Sequence, residues 1–151
     1  MNREVNYKYV AQRLVALTDG IPYETANLAN ASALLWQHMK DINWVGFYLL
    51  EGDKLVLGPF QGNVACVEIS VGRGVCGAAV ERRETILVED VHQFPGHIAC
   101  DSASASEIVV PLWKNGRVAA VLDIDSPSVA RFTVEDKEGL EKLGKVLEKL
   151  L

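Results

Sequence analysis

A strand hairpin is encoded in the stretch IVVPLWKNGRVAAVLDID, residues 108–125. Its two apolar runs, residues 108–113 and 117–125, are typical of strands. Between them lies Asn115-Gly116, which favours a two-residue turn because both residues readily take positive φ angles. The stretch therefore predicts two antiparallel strands that pair across this turn.

A second hairpin precedes the first in the chain. Residues 43–50 form one predicted strand and residues 54–58 its partner, with Glu51-Gly52-Asp53 as the turn. Successive side chains of a strand point to opposite faces, and the first strand is apolar on both. Both of its faces are therefore expected to be covered.

Helices are predicted at both ends of the chain. Residues 4–17 and 24–39 carry apolar residues at helical spacing, and Asp19-Gly20-Ile21-Pro22 separates them. A third helix begins after Thr133, a typical N-cap residue, and runs to the C-terminus. Antiparallel strands with helices segregated at the two ends predict an α+β domain. No linker or repeat interrupts the pattern, so we expect one domain over residues 1–151.

The middle of the chain, residues 66–107, is irregular and unusual in composition. It holds all three cysteines, Cys66, Cys76 and Cys100, and two of the three histidines. Its last loop, residues 94–107, has few large apolar residues. A long irregular segment inside a compact domain is usually functional or disordered, and the cysteines here indicate thiol redox chemistry. Short elements are predicted within it at residues 66–69, 72–80 and 86–88.

Composition and charge exclude several classes of protein. The 151 residues are 49% hydrophobic with a formal net charge of -5 and no basic cluster, which argues against nucleic acid as a partner. No apolar run is long enough to span a bilayer, and the N-terminus lacks the apolar core of a signal peptide. We therefore expect a cytoplasmic protein with reduced thiols, since three cysteines do not suit a structural disulfide framework.

Three acidic residues are candidates for a polar site. Asp123 and Asp125 lie two apart on a predicted strand, so they share one face. Glu107, at the start of the neighbouring strand, adds a third carboxylate. Asp123 and Asp125 could simply be solvated at a sheet edge. Alternatively, carboxylates that share a pocket cannot all ionise cheaply, so one becomes a proton donor near neutral pH, while the others suit a ligand ammonium group.

Trp44 and Tyr48 share a face of the first predicted strand. Ordinary core packing is one interpretation of this pair. The other is an aromatic wall for a small apolar group such as a methyl thioether, with Gly46 leaving room between the rings.

The cysteines have several interpretations. Cys76 follows a Gly-rich turn near a predicted helix start, where the pKa of a thiol is lowered. Cys100 lies among small and polar residues, where exposure and mobility are expected. All three could instead be buried small hydrophobes. Zinc ligation with His92 or His97 is disfavoured because the chain has no Cys-x-x-Cys pair. P-loop, dinucleotide and Ser-His-Asp hydrolase signatures are also missing.

Seven motifs resemble those of the free methionine-(R)-sulfoxide reductase family, whose members are single GAF domains. The resemblance covers nearly the whole chain. Its most specific parts are the Cys100 loop and the spacing of the cysteines, because most GAF domains lack them. The motifs are NWVGFY (43–48), GPFQG (58–62), GRGVCG (72–77), VEDV (88–91), FPGHIACD (94–101), SEIVVP (106–111) and LDIDS (122–126).

The resemblance implies a central antiparallel sheet backed by the N- and C-terminal helices, with the middle segment covering the other face and a small ligand pocket. It implies free methionine-(R)-sulfoxide as the substrate, since a closed pocket for a free ammonium and a free carboxylate would exclude protein-bound residues. No metal, flavin or nicotinamide cofactor is implied. GAF domains often pair through their terminal helices, which is compatible with a homodimer.

By resemblance, Cys100 is the nucleophile and Cys66 its resolving partner. Helix-terminus electrostatics favour Cys76 instead, so Cys76 stays an alternative nucleophile or a second recycling thiol. Glu107 or one of the two aspartates would protonate the leaving oxygen, and the remaining carboxylates would hold the substrate ammonium. The cycle passes through a sulfenic acid and a disulfide, and thioredoxin is the reductant that the family implies.

Two other functions fit the same sequence. A GAF fold can serve as a non-catalytic sensory module that binds a small effector, because fold alone does not give function. Against this, the chain carries no output domain and no linker to one. A redox sensor that forms a disulfide without a substrate is the third possibility, and substrate-dependent disulfide formation would separate it from the enzyme.

Overall fold

The sheet is built from the two predicted hairpins and two short flanking strands. The computed structural model describes residues 2–98, 100 and 102–151. Within these residues the sheet has six antiparallel strands in the order β3-β2-β1-β6-β5-β4. The strands are β1 Trp44–Glu51, β2 Lys54–Gly62, β3 Glu68–Ser70, β4 Ile86–Val88, β5 Ser106–Lys114 and β6 Arg117–Ser126.

Turn chemistry and strand register bring the predicted site residues to one face. Asn115 and Gly116 both have positive φ angles, 53° and 76°, so the β5–β6 turn is the predicted tight hairpin. Across the central strands, Asp125 lies opposite both Trp44 on β1 and Glu107 on β5. Because directly opposed residues of an antiparallel pair point to the same face, these three side chains are neighbours.

Three helices cover the back of the sheet. The first begins after Asn6, whose side chain accepts a hydrogen bond from the Tyr9 backbone N–H, and the last begins with a capping box between Thr133 and Asp136. Their apolar faces pack on back-face side chains such as Phe47, which is fully buried. The helices are α1 Tyr7–Thr18, α2 Glu24–His38, α3 Gly74–Arg82 and α4 Val134–Glu148, of which α1, α2 and α4 form this layer.

The middle segment covers the front of the sheet. Helix α3 packs on β5 and β6, where Val75 and Ala79 join a second apolar cluster with Trp44 and Tyr48. The predicted α+β class and the predicted back layer of terminal helices are therefore confirmed, as is the covering role of the middle segment. Among the described helices, none is both long and apolar enough to cross a membrane.

Several boundaries differ from the sequence prediction. The short strand predicted at residues 66–69 forms at Glu68–Ser70, so Cys66 lies in an irregular segment before it. Strand β2 continues to Gly62, four residues beyond its predicted end, because its second half pairs with β1 beyond a register shift at Gly46/Tyr48. In the loop of residues 94–107, Ala99 and Asp101 lie outside the described residues.

Candidate active site

Three carboxyl groups meet on the front face of the sheet. Glu107 is 8% exposed and Asp123 is 5% exposed, while Asp125 is half-buried. All three line one cavity between the sheet and the middle segment. Both aspartates lie on a central strand and line this cavity, so they are not solvated groups at a sheet edge. This placement is the one that the pocket interpretation predicts.

Burial and mutual repulsion change the acidity of these groups. Loss of solvation raises the pKa of Glu107 well above its usual range, and the charges of Asp123 and Asp125 raise it further. Burial also raises the pKa of Asp123, although hydrogen bonds with Glu107, Cys76 and Asp125 oppose the rise. Glu107 is thus the group best suited to remain a neutral acid at a pH where ordinary carboxyls are ionised.

The raised pKa of Glu107 makes stability depend on pH. The pKa of Glu107 is higher in the folded than in the unfolded protein. The contribution of Glu107 to the free energy of unfolding is therefore fully present below the unfolded pKa and is lost as pH rises through the folded pKa. We expect Glu107→Gln, with the disulfide intact, to raise the unfolding temperature at pH 8 by about 2–4 °C, the shift that about 1 kcal/mol produces. Near pH 4 the two proteins should have the same unfolding temperature.

Calorimetry of both proteins at the two pH values would check this expectation. Glu84→Gln is the matched control, because it removes an exposed carboxylate from the surface. A stability difference between Glu107→Gln and the parent protein that is equal at pH 4 and pH 8 would contradict the expectation.

Cys66 and Cys100 form a disulfide with a Cα–Cα distance of 5.6 Å. The bond joins the irregular segment between β2 and β3 to the loop that follows His97. Cys100 lines the cavity, together with Ala65, the neighbour of Cys66. The two cysteines that the family resemblance pairs are therefore linked directly, at the wall of the pocket with the carboxyl groups.

Cys76 is a free thiol in the first turn of α3, and it is only 4% exposed. The prediction that the helix start lowers its pKa is wrong. Burial raises the pKa of Cys76 well above its usual range, and the charges of Asp123, Glu107 and Asp125 add to the rise. A helix dipole contributes about 0.3–2 kcal/mol, which full desolvation beside acidic groups outweighs.

Trp44 and Tyr48 form the predicted aromatic wall and also belong to the apolar cluster. Both are buried, their ring centroids lie 5.9 Å apart, and both line the cavity. The expected free space at Gly46 is absent, because a Cβ there would collide with Phe60. Phe60 stacks on Trp44 with centroids 5.1 Å apart, and sequence reasoning did not identify it. The backbone of β2 at Pro59 and Phe60 lies against Gly46 and occupies that space.

Other cavity residues were also missed as site residues. Arg73 and Ser104 line the cavity, and so does His97, which was considered only as a zinc ligand. Burial lowers the pKa of His97, and the charge of nearby His92 lowers it further. The irregular backbone around these residues has no periodic pattern from which their direction could be predicted.

One group of side chains has the spacing of a cation site. The Cys76 thiol and the carboxylates of Glu107 and Asp123 offer donor atoms that all lie within 4.8 Å of one another. Neither histidine of the zinc alternative belongs to this group. Oxygen atoms at this spacing can accept hydrogen bonds from an ammonium group as well as ligate a metal ion.

Comparison with known proteins agrees with this geometry. Residues 28–149 match the model of the GAF domain. The free methionine-R-sulfoxide reductase of Escherichia coli (strain K12) is 56% identical over 151 residues, which are 100% of this chain and 92% of that protein. A free methionine-R-sulfoxide reductase of Saccharomyces cerevisiae is 45% identical over 157 residues, 99% of this chain and 87% of that protein.

A solved structure carries the similarity into three dimensions. The free methionine-R-sulfoxide reductase from Neisseria meningitidis, in complex with its substrate, superposes with a TM-score of 0.92 at 46% sequence identity, covering 95% of this chain and 87% of that chain. The chain belongs to the free methionine-(R)-sulfoxide reductase family of GAF-domain proteins.

Proposed function

We propose that this protein reduces free methionine-(R)-sulfoxide to methionine by cysteine thiol chemistry. One observation carries the proposal: the Cys66–Cys100 disulfide lies at a cavity, lined by Cys100, that also holds Glu107, whose pKa is raised by burial, and two further carboxyl groups. Reduction of a sulfoxide by thiols needs an attacking thiol, a second thiol that completes the disulfide, and a proton donor for the oxygen. The relatives that carry this activity in their names align over nearly the full chain.

The cavity offers separate partners for the ammonium group and the methyl group of the substrate. The carboxylates of Asp123 and Asp125 bind the ammonium group, and the rings of Trp44 and Tyr48 contact the methyl group on sulfur. The proposed ammonium site favours the free amino acid, because the corresponding nitrogen of a methionine sulfoxide within a polypeptide is an uncharged amide. The substrate in this proposal is therefore free methionine-(R)-sulfoxide.

Cys100 is the proposed nucleophile. Its thiolate attacks the sulfoxide sulfur while Glu107 gives a proton to the oxygen, and the oxygen passes to the cysteine. Methionine leaves, and Cys100 becomes a sulfenic acid. The position of Cys100 on the cavity wall supports this role, and the deep burial and raised pKa of Cys76 disfavour that thiol as the attacking group.

Recycling completes the proposed cycle. The Cys66 thiol attacks the sulfur of the Cys100 sulfenic acid, which forms the disulfide and releases water. An external dithiol, thioredoxin in this proposal, then reduces the disulfide by exchange and is itself oxidised. The direct Cys66–Cys100 bond supports the pairing. Cys76 is retained as a second recycling thiol.

The setting of the reaction is part of the proposal. A cycle that ends in reduction by thioredoxin suits the cytoplasm, where thiols are kept reduced. We also infer a single domain over residues 1–151 and a homodimer formed through the terminal helices. Tyr9, Val15 and Trp36 support the dimer, because these large apolar side chains are 47%, 52% and 40% exposed on α1 and α2.

A coupled assay tests the reaction. The reduced protein is supplied with thioredoxin, thioredoxin reductase and NADPH, and with one of three substrates: free methionine-(R)-sulfoxide, free methionine-(S)-sulfoxide, or a blocked peptide containing the (R)-sulfoxide. We expect NADPH oxidation with the free (R) compound alone. If none of the three substrates caused NADPH oxidation, in protein whose thiols are shown to be reduced, the proposed function would be refuted.

A further inference from the structure

The aromatic wall has two polar atoms, and both are directed at the chain segment that carries Cys66. The indole Nε1–H of Trp44 donates a hydrogen bond to the backbone carbonyl of Asn63 over 3.1 Å. The hydroxyl of Tyr48 donates one to the backbone carbonyl of Cys66 itself over 2.8 Å. These two donors therefore hold the segment, and both side chains also line the cavity.

In the segment between β2 and β3, residues 63–67, Ala65 and Cys66 are partly buried against the apolar cluster on the front of the sheet. The segment contains no helix or strand, and Val64 and Val67 are 88% and 64% exposed. Its last carbonyl, that of Val67, accepts a hydrogen bond from the backbone N–H of Leu57 over 2.9 Å. A segment with few buried apolar contacts opens readily unless hydrogen bonds or a cross-link hold it.

We propose that Tyr48 is a positioning residue for Cys66, and that its hydroxyl keeps the Cys66 thiol next to Cys100 when the disulfide is open. Trp44 acts in the same way three residues earlier in the segment, at Asn63. The proposal rests on the proposed function only for its kinetic consequence. The positioning itself is a property of the thiol pair.

The physical effect is on the effective concentration of one thiol at the other. Reduction breaks the bond between the sulfur atoms, after which only the remaining contacts limit the distance of Cys66 from Cys100. A held thiol reacts faster with the Cys100 sulfenic acid, forming the disulfide and releasing water, because less freedom is lost in the step. Burial raises the pKa of Tyr48, and the charge of Asp123 raises it further, so the hydroxyl remains a donor throughout the physiological range.

Tyr48→Phe tests the hydrogen bond and keeps the ring. The purified protein is equilibrated with defined ratios of reduced and oxidised glutathione, and the Cys66–Cys100 disulfide is quantified by mass spectrometry after the remaining thiols are blocked. We expect the equilibrium constant for disulfide formation to fall about three- to tenfold, the effect of one net hydrogen bond. A constant within about 1.5-fold of the parent value would overturn the proposal.

Tyr7→Phe is the matched control. It removes the same hydroxyl from a side chain that donates to Asp136, on the opposite side of the sheet. General loss of stability affects the oxidised and reduced proteins alike, so this variant should leave the disulfide equilibrium unchanged. A fall equal to that of Tyr48→Phe would also overturn the proposal. Should Tyr48→Phe fail to fold, Trp44→Phe, which removes the donor to Asn63, is expected to lower the constant in the same direction.

A trapping experiment links the inference to turnover. One equivalent of free methionine-(R)-sulfoxide is added to the reduced protein in the presence of dimedone, which reacts with sulfenic acids. We expect a larger trapped fraction in Tyr48→Phe than in the parent protein, and an equal fraction would count against the proposal. The glutathione titration uses no sulfoxide, so its result stands apart from a failure of the proposed function.

Discussion

Cys100→Ser is expected to abolish release of methionine, with a loss of at least about 10³-fold in rate. A serine hydroxyl is not ionised near neutral pH, whereas a cysteine is a strong nucleophile through its thiolate. No sulfenic acid can form at the substituted position. The measurement is a single turnover without external reductant, in which methionine is quantified after one equivalent of free methionine-(R)-sulfoxide is added to the reduced protein.

Cys66→Ser is the matched control for this prediction. It removes the other half of the same disulfide. We expect it to release about one methionine per protein and then to stop or recycle slowly, because the nucleophile remains but its resolving partner is gone. If Cys100→Ser released a full equivalent of methionine while Cys76→Ser released none, the role of nucleophile would pass to Cys76.

The part of the site that could be predicted from the sequence is the part that lies on regular strands. The alternation of side chains along a strand brings Asp123 and Asp125 to one face, and the Asn115-Gly116 turn fixes the register that adds Glu107. These inferences need only local geometry. The pairing of Cys66 with Cys100 came from family resemblance, since both lie in irregular backbone.

The features that the sequence did not reveal depend on tertiary contacts. The environment of Cys76 was misjudged because a helix start is visible in a sequence, whereas burial beside three acidic groups is not. Phe60 was missed because the register shift in β1 and β2 changes which side chain meets Trp44. The hydrogen bonds from Tyr48 and Trp44 end on backbone carbonyls of an irregular segment, and carbonyl positions there follow no sequence pattern.

Glu107→Gln is expected to lower the rate of methionine formation by about 10²–10⁴-fold, the usual contribution of a positioned general acid. Glutamine matches glutamic acid in shape and can hydrogen-bond to the sulfoxide oxygen, but it has no proton to give. The loss should appear in kcat, since proton donation matters in the transition state more than in substrate binding. Steady-state kinetics with free methionine-(R)-sulfoxide would measure it.

The pH dependence of the rate identifies the group. Glu107 acts in its protonated form, and its pKa is raised by burial and by the neighbouring aspartates. Activity of the parent protein should therefore persist above the ordinary carboxyl range and decline as pH rises through the raised pKa, and Glu107→Gln should lack this decline.

Asp125→Asn is the comparison, because removing a carboxylate that binds the ammonium group should mainly raise KM. A Glu107→Gln protein that kept both the parent kcat and the decline at high pH would transfer the proton-donating role to an aspartate. The stability gain expected for Glu107→Gln at pH 8 then has a functional meaning. A carboxyl group held neutral in a buried acidic cluster lowers the stability of the folded protein, and catalysis requires that group.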